Sequence, residues 1–137
     1  MKAATHRQRI WGWFFFDWAS QPYNTLIITF IFAPYVKELI GDGVEAQTAW
    51  AFGVATAGLI IAALAPILGA MADHTGNRMQ WIKGFSVMYV VGAFGLWWAI
   101  PGDFNLGVIL VFFVIGMVGM EIATIFTNAM LPDLGTR

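Results

Sequence analysis

The sequence predicts an all-α membrane protein: four transmembrane helices with the N-terminus on the cytoplasmic side. Three observations predict it. Of 137 residues, 59% are hydrophobic and 11% charged, with a mean hydropathy of +0.72. Soluble domains carry about 25% charged residues, and a chain of this size cannot hide so much apolar surface in water. Four charge-free stretches, 18–36, 46–72, 84–102 and 104–120, each come close to or exceed the roughly 20 apolar residues a spanning helix needs. Six of the 7 basic residues (Lys2, Arg7, Arg9, Arg78, Lys83 and Arg137) fall on one side of the resulting map, and Lys37 alone on the other. That bias places the basic side in the cytoplasm.

Taken in order, residues 1–9 form a basic cytoplasmic tail. The apolar run behind it resembles a signal peptide only at its start. It continues to Val36, contains Asp17 and lacks a small-x-small cleavage site, whereas a cleavable core is roughly 7–15 residues long. It is therefore a retained helix, near 10–36, with Pro22 inside it. Proline removes one backbone hydrogen bond and frees the carbonyl of Trp18, which Ser20, Gln21 or water could satisfy. The second helix lies near 47–71. Its small residues recur at four-residue spacing, Gly53 with Ala57, Gly58 with Ala62, Ala65 with Gly69, and predict close helix packing. Pro66 reads as structural.

The third helix lies near 80–100 and the fourth near 105–130. Pro101-Gly102-Asp103 between them reads as a tight turn, so these two helices are antiparallel neighbours. Glycines 92, 95, 116 and 119 read as packing positions on the pair. Trp11, Trp13, Trp81, Trp97 and Trp98 cluster near predicted helix ends, as in an aromatic belt. Residues 131–137 form a polar cytoplasmic connection directly after a helix, and further sequence is expected to follow it.

Two carboxylates fall within spans. An ionisable group there costs at least about 2.5–3.5 kcal/mol on insertion scales, so it faces a cavity or a partner. Asp17 and Glu121 lie at similar depths, roughly 10 and 14 Å from the cytoplasmic ends of their helices. Asp17, Ser20, Gln21 and Asn24 fall at i, i+3, i+4 and i+7, one stripe of a helix. Glu121, Thr124 and Asn128 repeat the pattern on the fourth helix, with Thr127 nearby. The two stripes are candidates to line a shared hydrated pathway. The alternative is structural: Asp17 pairing with Arg78 or Lys83, and Glu121 hydrogen-bonding within the bundle.

Between the second and third helices the chain reads Gly69-Ala-Met-Ala-Asp73-His-Thr-Gly76-Asn-Arg78. Gly69 permits close packing where the helix ends, Gly76 a positive-φ turn, and Asp73 can accept from N–H groups at a helix N-terminus. The spacing of Gly69, Asp73, Gly76 and Arg78 resembles the signature loop of the major facilitator superfamily. His74 and Asn77 stand where that loop usually has basic residues. The stretches Phe16-Asp17-Trp18-Ala19-Ser20-Gln21-Pro22-Tyr23 and Phe126-Thr127-Asn128-Ala129-Met130-Leu131-Pro132-Asp133 resemble its vacuole-effluxer-like branch. That branch has Asn-Ser where this chain has Ser20-Gln21.

The resemblance implies a twelve-helix transporter in two six-helix halves, of which this chain supplies about a third. The first and fourth helices would face the central cavity, and the loop would latch the halves during alternating access. Founding members of the branch are associated with amino-acid efflux from vacuoles. A bacterial relative would occupy the cell membrane, with lipid, its own remaining helices and a small solute as partners.

Other classes fit less well. The net charge of −1 offers no basic face to nucleic acid. With no cysteine and only His6 and His74, the chain has neither a metal cluster nor a nucleophile–base constellation, so no enzyme, cofactor or metal is expected. A four-helix multidrug antiporter acting as a dimer, or a non-transporting scaffold subunit, are the rival readings. The first would put its carboxylate deeper in helix one and leaves the loop unexplained.

Overall fold

The computed structural model describes residues 5–135, without the side chains of Asp73, Thr75 and Asp133. Residues 1–4 of the expected tail and 136–137 of the expected connection therefore lie outside it. The described residues form helical rods joined by short turns, with one isolated bridge in place of any strand.

The first rod comprises α1 (His6–Pro22), a π-helical segment (Tyr23–Phe30) and α2 (Phe32–Ile40). It begins earlier than the apolar run does, because Thr5 and Gln8 form a capping box. The Thr5 hydroxyl accepts from the Gln8 N–H, and the Gln8 side chain accepts from the Thr5 N–H at 2.9 Å, satisfying two otherwise free donors. His6–Arg9, expected in the tail, thus form the first turn. At Pro22 the missing N–H breaks the α ladder, and the backbone widens into the π segment. There the Ile31 N–H donates to the Leu26 carbonyl, five residues back, at 2.9 Å. The Thr29 hydroxyl donates to the Asn24 carbonyl at 2.9 Å. Ser20 was a candidate partner for the freed Trp18 carbonyl; its hydroxyl donates to the Asp17 carbonyl instead, at 2.9 Å. Gly41, at φ +78°, closes the rod with its N–H on the Lys37 carbonyl.

Helix α3 runs from Gly43 to Thr75, beyond both ends of the expected 47–71 and straight through Pro66. Its N-terminus is set by Asp42, whose carboxylate accepts from the N–H groups of Val44 (2.7 Å) and Glu45 (3.0 Å). Gly76, at φ +64°, ends it by donating to the Ala72 carbonyl. Helix α4 (Arg78–Gly95) passes into a 3-10 turn (Leu96–Trp98). The Pro101-Gly102 turn follows, with Gly102 at φ +82° and the Asp103 N–H on the Ile100 carbonyl at 3.2 Å. Helix α5 (Leu106–Asn128) is capped by Asn105. Residues expected to be a plain connection form a short helix, α6 (Leu131–Gly135).

The most extensive packing is between α4 and α5, antiparallel across the tight turn. A Cβ on Gly92 would overlap the backbone of Gly116, one on Gly95 the Phe112 ring, and one on Gly119 would lie 2.6 Å from the Tyr89 nitrogen. All four glycines are packing positions, as their spacing implied. Helix α3 uses only part of its small-residue ridge. Gly53 packs on Leu110 and Phe113 and Ala57 is fully buried, whereas Gly58 and Gly69 face open space. Gly69 therefore neither ends the helix nor makes a close contact within the described residues.

Two helices, Gly43–Ala72 and Leu106–Asn128, are long and apolar enough to cross a membrane. The first rod is divided by the π segment, and α4 carries Arg78, Gln80 and Lys83 in its first turns. Much of the outer surface is apolar, including Trp18, Phe52, Leu59 and Trp97, each at least 70% exposed. Water would not tolerate such a surface; lipid or further helices would.

Gly92→Ala should destabilise the fold by about 1–3 kcal/mol, the range for overpacking, while Gly58→Ala should be neutral or stabilise it by up to about 1 kcal/mol. Thermal unfolding in detergent would separate the two. The two N–H groups of Glu45 and Val44 hold the Asp42 carboxylate below its ordinary range. Its capping contribution is complete above about pH 4 and is lost as pH falls through the lowered native value. Protection from hydrogen exchange at Val44 and Glu45, taken relative to the intrinsic rate at each pH, should fall on acidification, and that dependence should flatten in Asp42→Asn.

Candidate functional site

The candidate site lies where the broken first rod meets α5, and Tyr23 fixes that junction. As the first residue after Pro22, it is turned inward and 2% exposed. Its phenol donates to the Phe113 carbonyl at 3.0 Å. The ring lies over Gly116, where any Cβ would collide with it, and meets Tyr89 edge-on at 5.2 Å. A second tie sits further along the rod, where the Tyr35 hydroxyl donates to the Ala99 carbonyl at 2.6 Å.

The stripe residues lie on the two elements that this contact joins, the first rod and α5. Asp17 is half-buried and Ser20 buried, while Gln21 and Asn24 are exposed. Because Asn24 sits on π backbone, the α periodicity that defined the stripe holds only through Gln21. On α5, Glu121 and Thr124 are half-buried, and Asn128 is exposed at the helix end. Thr124 directs its hydroxyl to the Met120 sulfur at 3.9 Å, and buried Thr127 donates to the Ala123 carbonyl at 2.8 Å. Among the described residues, no hydrogen bond or ion pair joins one stripe to the other, and neither Asp17 nor Glu121 carries an ion pair. The pairing of Asp17 with Arg78 or Lys83 is thus absent there.

Arg78 is engaged elsewhere. Its guanidinium donates to the Ala129 carbonyl at 3.1 Å, just past the end of α5. A cation at the carbonyl end of a helix is favoured both by the hydrogen bond and by the macrodipole. The loop arginine therefore ties the start of α4 to the end of α5. Gly76 adopts the left-handed turn its position implied. Asp73 is a residue of the last turn of α3 and not at a helix start; its side chain lies outside the described residues. The residue at the α4 start is Asn77, which makes no capping bond.

Sequence reasoning did not single out Tyr23, the Arg78–Ala129 contact or the Asp42 cap. Tyr23 had a signal, an aromatic residue directly after an intrahelical proline. Arg78's partner had none, since a backbone carbonyl carries no residue signature.

A model of the family described as vacuole effluxer Atg22-like matches residues 38–137. The chain belongs to that family. The Atg22-like match contains the Gly69–Arg78 loop and the Phe126–Asp133 stretch and begins after the first-helix motif. Similarity to a curated protein extends the coverage: the chain is 30% identical to the uncharacterized MFS-type transporter YxiO of Bacillus subtilis (strain 168), over 98% of its own length. It spans 31% of that relative, about a third. No solved structure matches. With two helices able to cross a bilayer and this membership, the Atg22-like chain is a multi-pass membrane protein.

Tyr23→Phe removes one buried hydrogen bond and should lower stability by about 1 kcal/mol. Tyr23→Ala also empties the space over Gly116 and should cost about 3–5 kcal/mol, as large-to-small aromatic changes do. Thermal melts of both variants in detergent would check the order and the gap.

Proposed function

We propose that this chain forms the first four transmembrane helices of a six-helix half in a secondary-active transporter of the major facilitator type. In this reading the N-terminus is cytoplasmic, the protein sits in the cell membrane, and a small solute moves by alternating access. Amino acids leaving the cytoplasm are the first substrates to try. The observation that carries the proposal is similarity to an MFS-type transporter along 98% of the chain, joined to the family match. The four-helix antiporter and scaffold readings lack comparable support.

The polar residues have distinct roles in this scheme. Asp17, Gln21 and Asn24 on the first rod, with Glu121, Thr124 and Asn128 on α5, line the solute pathway; Ser20, buried and bonded to its own helix, supports the bend. The half-burial of both carboxylates and the exposure of Gln21, Asn24 and Asn128 support that division. The π segment supports it as well, since irregular backbone at membrane depth is tolerated where it lines a cavity or is covered by protein. The Gly69, Asp73, Gly76 and Arg78 loop serves as the latch between halves, with Arg78 holding α4 to α5 in one rigid body.

Full-length protein in proteoliposomes should move at least one amino acid. Asp17→Asn or Glu121→Gln should reduce the rate at least tenfold without changing the thermal melt. Cysteines at Asn24 and Asn128 should react with a polar thiol reagent and be protected by the transported solute. No movement of any solute, with both carboxamide variants indistinguishable from the parent in cells, would leave the scaffold reading in front.

A further inference from the structure

The inward-facing residues of the first rod do not keep one helical phase. Tyr23 is buried, and the next buried side chain along the rod is Phe32, nine residues on, followed by Val36. All three belong to one apolar cluster with Leu96, Ala99 and Phe113. In an uninterrupted α-helix, at about 100° per residue, nine residues place two side chains on opposite sides of the rod. Tyr35, whose hydroxyl reaches the Ala99 carbonyl between α4 and α5, would lie about 120° from Tyr23. The i→i+5 bonding of the π segment absorbs one residue. Phe32 then comes within about 80° of Tyr23 and Tyr35 within about 20°, which is the width of a single apolar face. The π register is what lets all of these side chains dock together.

The segment's own chemistry fits either register. Pro22 and Pro34 lack N–H groups, so the α bonds that would end on the Trp18 and Phe30 carbonyls are missing on both sides of it. The Thr29 hydroxyl donates to the Asn24 carbonyl, five residues back. In an α-helix a threonine bonds to the carbonyl four residues back, so this contact survives a change of register. Helix α2 is equally permissive. A return to the α ladder turns everything beyond the segment by about 100°, and each residue takes the angular place of its successor. Ile31, Tyr35 and Leu39 then occupy the positions of Phe32, Val36 and Ile40. Apolar or amphipathic side chains replace apolar ones at each, and Ile31, 58% exposed in the present register, gains a buried position.

We infer that residues 23–30 are a register switch with two states. In the state seen here the segment is π-helical, α2 docks through Phe32 and Val36, and the Tyr35 hydroxyl holds the Ala99 carbonyl. In the other the segment is α-helical, Tyr23 keeps its bond to the Phe113 carbonyl, and α2 is turned by about 100° with Ile31, Tyr35 and Leu39 inward. The second state gives up the Tyr35 bond and gains a regular ladder. Packed elements change between discrete arrangements of this kind and do not deform continuously. The switch is a property of the first rod and its seat on α4 and α5, so it stands whether or not the transport reading does.

The test is fluorine NMR of the full-length protein in detergent, with para-fluorophenylalanine in place of Phe32 alone. A major resonance is expected, together with a minor one in slow exchange with it at no more than about 10% of the signal. Saturation transfer between the two detects the minor state. Tyr35→Phe removes only the bond to Ala99 and should raise the minor fraction at least fivefold. Ile31→Ala alters a side chain that is buried only in the α register and should lower it at least fivefold. Deleting Thr25, an exposed residue of the segment, lets a plain α-helix deliver the docked phase. That variant should melt close to the parent and lose the minor resonance. A single resonance in both the parent and Tyr35→Phe would overturn the inference. So would a minor fraction indifferent to Tyr35→Phe or Ile31→Ala, or a Thr25 deletion that unfolds or keeps the second resonance.

Discussion

The contact between α4 and α5 organises the rest of the fold. In lipid, helices gain little from burying apolar surface against one another, because the surrounding tails are equally apolar. Close approach and dispersion must hold them, and glycine is the residue that allows the backbones to meet. Gly92 on Gly116 and Gly119 on the Tyr89 backbone bring the two helices together. Everything else is placed relative to that pair. The Pro101-Gly102 turn joins them at one end, Arg78 reaches the Ala129 carbonyl at the other, and Tyr23 uses the bare surface of Gly116 as its seat.

The first rod is shaped by a different constraint, the need to satisfy backbone groups where water is scarce. Pro22 withdraws a donor, and the segment after it answers with i→i+5 bonding and the Thr29 hydroxyl. This irregular segment is held by side chains and not by its own ladder alone. The Tyr23 phenol and the Tyr35 hydroxyl both donate to carbonyls of other elements. The part of the rod that follows Pro22 is therefore held at two points, to α5 through Tyr23 and to the residue that closes the 3-10 turn through Tyr35.

Much of the architecture was legible from composition and punctuation. Helical class followed from long apolar runs, the α4–α5 hairpin from Pro101-Gly102-Asp103, and the packing role of glycines 92, 95, 116 and 119 from their spacing. Those signals are local and chemical, so a linear sequence carries them. Family membership was legible in the same way, through the Gly69–Arg78 loop and the Phe126–Asp133 stretch. What only the tertiary structure decided were the relations between distant groups. These include which glycines of α3 meet a neighbour, that Arg78 seeks a backbone carbonyl and not Asp17, and that Tyr23 turns inward onto Phe113. They also include the widening of the backbone after Pro22, which carries Asn24 off the α-helical stripe, and the Trp13 indole left without a partner. Each depends on where a second helix lies, and residue type and spacing along one helix do not encode that.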